Sequence, residues 1–165
     1  MKKVLLLAIT VFCYFIAPAQ KIEFKKFHIY LNNKKFDKYE CEEKDIVSQM
    51  GNPESREDDS LNDLNYFKKG VQFRVRKWGS KGIAYMTIYF KPFEKYVTFP
   101  GELWISGNQI TLNTTVQDLK KMKGLEITEP EDINLYNDYK VQTDYVFYTF
   151  VYKRDGTLEW IEISF

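Results

Sequence analysis

The chain has 165 residues, of which 24 are basic, 23 acidic and 17% aromatic. That length suits one domain, or two small units sharing a core. A near-neutral balance gives no electrostatic reason to expect nucleic acid or an anionic membrane surface as a partner.

Residues 1–19 read as a secretory signal peptide. Lys2 and Lys3 give a positive start, 4–16 is almost wholly apolar, and Ala17-Pro18-Ala19 forms a small-residue exit before Gln20. The apolar run is shorter than the ~20 residues a spanning helix needs. No later stretch is long and apolar enough either, so the mature chain is expected to lack a transmembrane segment. Thr10-Val11-Phe12 before Cys13 is unlike a lipoprotein box, which argues against acylation. The expectation is export, to the periplasm or beyond, after cleavage near Ala19-Gln20. Loss of Lys2 and Lys3 leaves 22 basic against 23 acidic side chains, a formal charge of −1. Cys41 is then the one remaining cysteine, so no intramolecular disulfide forms, and burial as a small hydrophobe is expected.

Residues 20–26 read as a polar arm. In 27–31, Phe27, Ile29 and Leu31 alternate with His28 and Tyr30, the period of a strand. Asn32-Asn33 signals a tight turn, because Asn tolerates the positive φ that hairpins require. Residues 35–39 return as a strand. A helix follows over 42–50, with Ile46, Val47 and Met50 inward and acids in its first turn. Gly51 and Pro53 end it. Residues 52–65 are polar and acidic, and read as a loop. Val71, Phe73 and Val75 alternate with Gln72, Arg74 and Arg76, and 83–90 returns as a strand carrying Met86, Ile88 and Phe90 on one side.

The same order then recurs. After a linker over 91–101, Leu103 and Ile105 take the places of Ile29 and Leu31, and Ser106-Gly107-Asn108 replaces the Asn turn. Thr114 or Thr115 caps a helix carrying Val116, Leu119 and Met122, which Gly124 ends. Residues 126–139 read as a second acidic, irregular segment. Residues 145–153 and 158–165 form a closing hairpin around Asp155-Gly156. Phe73 matches Phe150, and Met86, Ile88 and Phe90 match Ile161, Ile163 and Phe165. The expected fold is α+β: two tandem β-β-α-β-β repeats, 20–90 and 102–165, forming antiparallel sheet with the helices on one face.

Strand-turn-strand, helix, then Gly51-Asn52-Pro53-Glu54 resembles the repeat of small exported bacterial proteins. These include the SmpA/OmlA-like assembly lipoproteins and the β-lactamase-inhibitor-protein-like folds. The resemblance covers most of 27–165 through short, degenerate motifs. It departs in lacking a lipoprotein box and in having no proline close after Gly124. It implies a helical segment packed on one face of an antiparallel sheet. It also implies, for tandem members, a protein partner held on the uncovered face.

No motif carries chemistry. His28 is the one histidine, and a Ser-His-Asp triad, a Cys-His pair or a multi-histidine metal site would each need it or more. Asp58-x-Ser60-x-Asn62 begins like a calcium loop, but Asp63 and Lys69 stand where glycine and glutamate belong. No glycine-rich phosphate loop is present, and Asn113-Thr114-Thr115, a glycosylation sequon, reads better as a helix cap. No catalytic residue, cofactor or metal is therefore expected.

The outward strand positions are more informative. Tyr30, Arg74, Arg76 and Tyr85 in the first half, and Trp104, Phe147, Val151 and Trp160 in the second, combine aromatic rings with arginine. These residue types are enriched at interface hot spots. A solvated sheet face is mostly polar, although cover by the arm or linker, or simple cross-strand pairing, also accounts for such residues. The expected function is a non-enzymatic binder of another protein, of inhibitor, immunity or assembly-factor type. The alternatives are a carbohydrate-binding module or glycan hydrolase using aromatic platforms, with Trp78 a loop candidate, and a purely structural secreted protein.

Overall fold

The computed structural model describes residues 20–77, 81–130, 136–143 and 146–165. Residues 1–19, read above as a signal segment, Trp78 and the start of the closing hairpin at Tyr145 lie outside the described residues.

The described residues are mostly β, with two short α-helices and two sheets. In chain order the elements are β1 (Lys21–Lys25), β2 (His28–Leu31), β3 (Lys34–Asp37), α1 (Glu43–Met50), β4 (Ser55–Asp58), β5 (Asn62–Tyr66), β6 (Val71–Val75) and β7 (Ile83–Tyr89). Then come β8 (Glu102–Ile105), β9 (Asn108–Ile110), α2 (Val116–Lys121), β10 (Glu126–Thr128), β11 (Tyr136–Thr143), β12 (Val146–Lys153) and β13 (Leu158–Ser164).

The five-stranded sheet runs β3-β2-β1-β8-β9. It is mixed, because β1 is antiparallel to β2 but parallel to β8. The eight-stranded sheet is antiparallel throughout, in the order β10-β11-β12-β13-β7-β6-β5-β4. The order hairpin, helix, four-stranded meander thus occurs once in 28–89 and again in 102–164. The last strands of the two runs, β7 and β13, meet at the centre of the large sheet.

Three stretches differ from the sequence reading. The polar arm is β1, the middle strand of the small sheet, with Ile22 and Phe24 buried between Lys21, Glu23 and Lys25. Residues 52–65, read as a loop, hold β4 and β5. Residues 126–139, read as irregular, hold β10 and the start of β11. Four strands therefore follow each helix rather than two.

Local chemistry accounts for the turns and caps. Asn32 and Asn33 both take positive φ, 51° and 67°, and close a two-residue hairpin. Ser106 and Gly107 do the same at 49° and 82°. The Glu42 backbone N–H donates to the Asp45 carboxylate at 3.0 Å at the start of α1. The Thr115 N–H donates to Asp118 at 2.9 Å at the start of α2. The Asp118 N–H donates back to the Thr115 hydroxyl at 3.2 Å, so Thr115 is the cap.

One apolar core lies between the sheets. Ile22, Phe24, Ile29, Leu31, Leu103 and Ile105 from the small sheet share it with Phe73, Met86, Ile88, Phe150, Ile161 and Ile163 from the large one. Phe24 meets Tyr148 across the gap in an edge-to-face contact with centroids 5.9 Å apart. Ile46 and Met50 of α1 and Leu119 of α2 are buried in the same core. Two tyrosines latch the helical segments to the core side of the large sheet. Tyr66 donates to the Gly51 carbonyl at 3.0 Å, and Tyr152 donates to the Thr114 carbonyl at 2.9 Å. On the large sheet's other face, among the described residues, packs the 91–101 segment.

Candidate functional site

The outward-facing candidates fall on two different sheets. Tyr30 and Trp104 flank Glu23 on the outer face of the small sheet, where Glu23 pairs with each across the strands. Lys25 bonds Glu23 at 2.7 Å and stands over the Tyr30 ring. Lys21 stands over Trp104 at 5.7 Å from the ring centroid. These aromatics are thus engaged by neighbouring ammonium groups, which shield their faces.

Arg74, Tyr85, Phe147 and Trp160 lie on the outer face of the large sheet, opposite the core-facing Phe73, Met86, Tyr148 and Ile161. Val151 shares that face but is buried beside Trp160, its cross-strand partner. Arg76 does not join them. The ladder shifts register between Arg74 and Val75, and the Arg76 guanidinium donates to the Phe165 carbonyl at 2.9 Å, beyond the end of β13. A clean alternation in the sequence hides that irregularity.

The 91–101 segment, read as a linker, is a strap across this outer face. Phe99 N–H donates to the Tyr89 carbonyl at 2.7 Å, and Val97 N–H donates to the Phe67 carbonyl at 2.9 Å. Its rings extend a row begun by the sheet. Phe67 meets Tyr96 at 4.9 Å, Tyr96 stacks on Tyr89 at 4.2 Å, and Tyr89 stacks on Phe93 at 5.7 Å. Phe93 meets Trp160 at 5.3 Å, and Trp160 meets Tyr136 at 5.3 Å. Six rings, from the turn at Phe67, β7, the strap, β11 and β13, therefore form one continuous row.

Beside this row, at the β7–β13 seam, lies a groove of about 320 Å³. Thr87 forms part of its floor. Tyr89, Phe93 and Trp160 wall one end, with Tyr85 and Arg74 at the other and Gln72 and Glu162 along the sides. Tyr85 is 48% exposed and nearby Phe147 is 57% exposed, so an open aromatic rim adjoins the groove.

The polar groups on the β5–β6 side are fixed by one another. Arg74 bonds Asp63 at 3.2 Å, and Gln72 donates to Asn65 at 2.9 Å. The Tyr96 hydroxyl donates to the same Asn65 oxygen at 2.6 Å. Burial raises the Asp63 pKa, and Arg74 pulls against that shift without reversing it. Burial is also the main cause that pushes Tyr89 up to about 12, followed by the carboxylates of Glu162 and Glu94. Tyr96 is raised well above the usual phenol range, again chiefly by burial. The buried tyrosines of the row are neutral donors at ordinary pH.

Glu162 sits differently. Its cross-strand neighbours are Thr87 and Thr149, and Trp160 Nε1–H donates to it at 3.3 Å. Among the described residues no cation pairs with it.

Sequence reasoning places Gln72 on the outward face beside Arg74 but misses Tyr89, Phe93, Tyr96 and Glu162 as members of this site. The high aromatic content of the strap was visible, but its contact with Trp160 joins residues far apart in the chain and leaves no local trace. Among the described residues no cluster of His, Cys, Asp or Glu is assembled to hold a metal. His28 pairs with Lys25 and Asp37 across the small sheet, away from the groove.

No protein-family model matches the chain, and no curated protein does. Among solved structures, the crystal structure of a DUF4309 family protein (YjgB) from Bacillus subtilis subsp. subtilis str. 168 is similar. It has 16% identity and a TM-score of 0.45, covering 75% of this chain and 78% of that one. A likeness at that level carries no residue role over to this chain.

Proposed function

We propose that this protein is an exported, non-enzymatic binding protein that holds another protein on the outer face of its eight-stranded sheet. The observation that carries this reading is the open pair Tyr85 and Phe147 beside a groove walled by Phe93 and Trp160. Large exposed aromatic residues with an arginine at the centre of a sheet are what an anchored interface requires. The two hairpin-helix-meander halves, joined through β7 and β13, are proposed to be copies of one unit of the kind the SmpA/OmlA-like resemblance implies. The face that each unit leaves uncovered is then continuous across the seam.

The small sheet's outer face is the weaker candidate, because Lys21, Lys25 and Glu23 already engage Trp104 and Tyr30. A second reading, a glycan stacked on Trp160, draws on the amide of Gln72 and the guanidinium of Arg74 beside the rings.

Site-specific photo-crosslinking from position 147 in the native host tests the proposal. The expected result is one discrete protein adduct that Trp160→Ala and Tyr85→Ala each reduce about tenfold, as loss of hot-spot residues does. Trp104→Ala leaves it unchanged, and circular dichroism shows all three variants folded. Trp160 is half-buried against Phe93 and Tyr136, so its removal costs roughly 1–2 kcal/mol of stability, less than a full core truncation. An adduct that depends on Trp104 instead moves the interface to the small sheet. Absence of any adduct sensitive to these positions defeats the reading.

A further inference from the structure

Resting on the protein-binding reading, we infer that the groove at the β7–β13 seam is a receptor for a basic side chain, lysine or arginine, of the partner protein.

The argument is one of charge accounting. Arg74 supplies the groove's positive charge, and Asp63 neutralises it at 3.2 Å. Asp63, Gln72, Asn65 and Tyr96 are bonded among themselves, which holds the Arg74–Asp63 pair to the β5–β6 side. Glu162 stands on the opposite strand with no neutralising cation among the described residues. Its cross-strand and same-strand neighbours on that face, Thr87, Thr149, Trp160 and Ser164, are all uncharged. Lys140 lies beyond Thr149 in the same row and makes no ion pair with Glu162, so the charged groups at the groove itself, Arg74, Asp63 and Glu162, sum to negative.

The surroundings of Glu162 suit a cation. Trp160 Nε1–H donates to its carboxylate at 3.3 Å and fixes it beside the indole. Phe93 and Tyr89, stacked with centroids 5.7 Å apart, complete an aromatic wall next to it. Ring faces attract an ammonium or guanidinium group through their quadrupole, and a carboxylate at the edge of such a wall adds to that attraction. A neutral donor entering the same place gains a hydrogen bond to the carboxylate but not the attraction of a full opposite charge, and an anion is repelled.

The source of the cation is a protein rather than a free amine. The rim formed by Tyr85 and Phe147 extends beyond the groove, and a small amine leaves those rings in water. A protein surface that inserts one basic side chain covers them. Arg74, already paired with Asp63, has further guanidinium N–H groups to donate to a backbone carbonyl beside the inserted residue.

The test is a titration of isotopically labelled protein with a short peptide carrying one lysine between neutral residues, alongside the same peptide with that lysine Nε-acetylated. The Trp160 Nε1–H resonance reports occupancy. The expected result is saturable movement with the lysine peptide and roughly tenfold weaker binding of the acetylated one. Glu162→Gln is expected to remove that preference. Phe93→Leu, a change on the strap that leaves the sheet intact, weakens the lysine peptide alone.

Equal binding of the two peptides, or a lysine preference that survives Glu162→Gln, overturns the inference. So does a response to a neutral oligosaccharide in place of the peptides, which assigns the groove to glycan. Crosslinking from position 147 separates the two levels. If the adduct persists in Glu162→Gln, the protein-binding reading stands and the basic-side-chain receptor does not.

Discussion

The Cys41 thiol is 2% exposed, and burial first, then the carboxylates of Asp45 and Glu42, push its pKa up to about 12. Such a thiol is a weak nucleophile at neutral pH. In the folded protein at pH 8 it is expected to resist iodoacetamide, with labelling that tracks global unfolding in denaturant. Fast labelling of native protein contradicts this. The sign of the pH effect follows from the direction of the shift. The folded state holds the thiol proton beyond the ordinary value of 9.0, while the unfolded chain releases it there. The contribution is fully present below pH 9 and is lost as pH rises from 9 towards 12. Cys41→Ala flattens that part of the stability curve, measured by denaturant titration at pH 8 and pH 10.5. A residue can thus be read from the sequence as buried and inert, while the carboxylates that reinforce its inertness emerge only from the packing of α1.

Among the elements, the strap shows most clearly how one backbone position controls a site. Gly70 takes φ +60°, and a Cβ there would lie 2.3 Å from the Val97 carbonyl oxygen and 2.6 Å from the Phe99 nitrogen. Gly70→Ala forces the strap off the sheet and carries Phe93 away from Trp160. It is expected to cost at least about 2 kcal/mol and to expose Trp160, visible as a red-shifted indole emission. Unchanged emission and stability show that the strap does not depend on this close approach. The hairpins, helices and core strands were legible because their signals are local: Asn32-Asn33, Asp155-Gly156, Thr115 three residues before Asp118, and the alternation of Val71, Phe73 and Val75. Strands β4 and β5 were not. Ser55–Asp58 is a charged edge strand, a composition that blocks further pairing and mimics a loop. In β5, Asn62, Asp63 and Asn65 are poor strand formers. They are tolerated because Gln72, Arg74 and Tyr96 satisfy Asp63 and Asn65 from other elements. The candidate site was legible only in part for the same reason. Tyr85, Arg74 and Trp160 follow from alternation, whereas the strap and Glu162, unpaired with any cation among the described residues, depend on long-range pairing.

At the level of the whole molecule, the two halves are joined twice. β7 pairs with β13 in the large sheet, and β1 pairs with β8 in the small one. Separating residues 20–90 from 91–165 leaves Tyr85–Tyr89 and Trp160–Ser164 as open edges in mid-sheet, which favour association over solution as folded monomers. Each half alone is expected to be unfolded or aggregated by circular dichroism and size-exclusion chromatography. The two together are expected to reconstitute one complex. A folded, monomeric half contradicts the shared core.

The parallel pairing of β1 with β8 also sets a clock. β1 is made first and folds back on β2 within a few residues, but its other edge stays open until Ile22 meets Leu103. At ordinary synthesis rates that wait lasts roughly 4–16 s. For that interval the nascent chain displays an unpaired strand carrying Ile22 and Phe24, a handle for a holding chaperone. For the export proposed above, such a delay keeps the chain from locking shut before its second half exists.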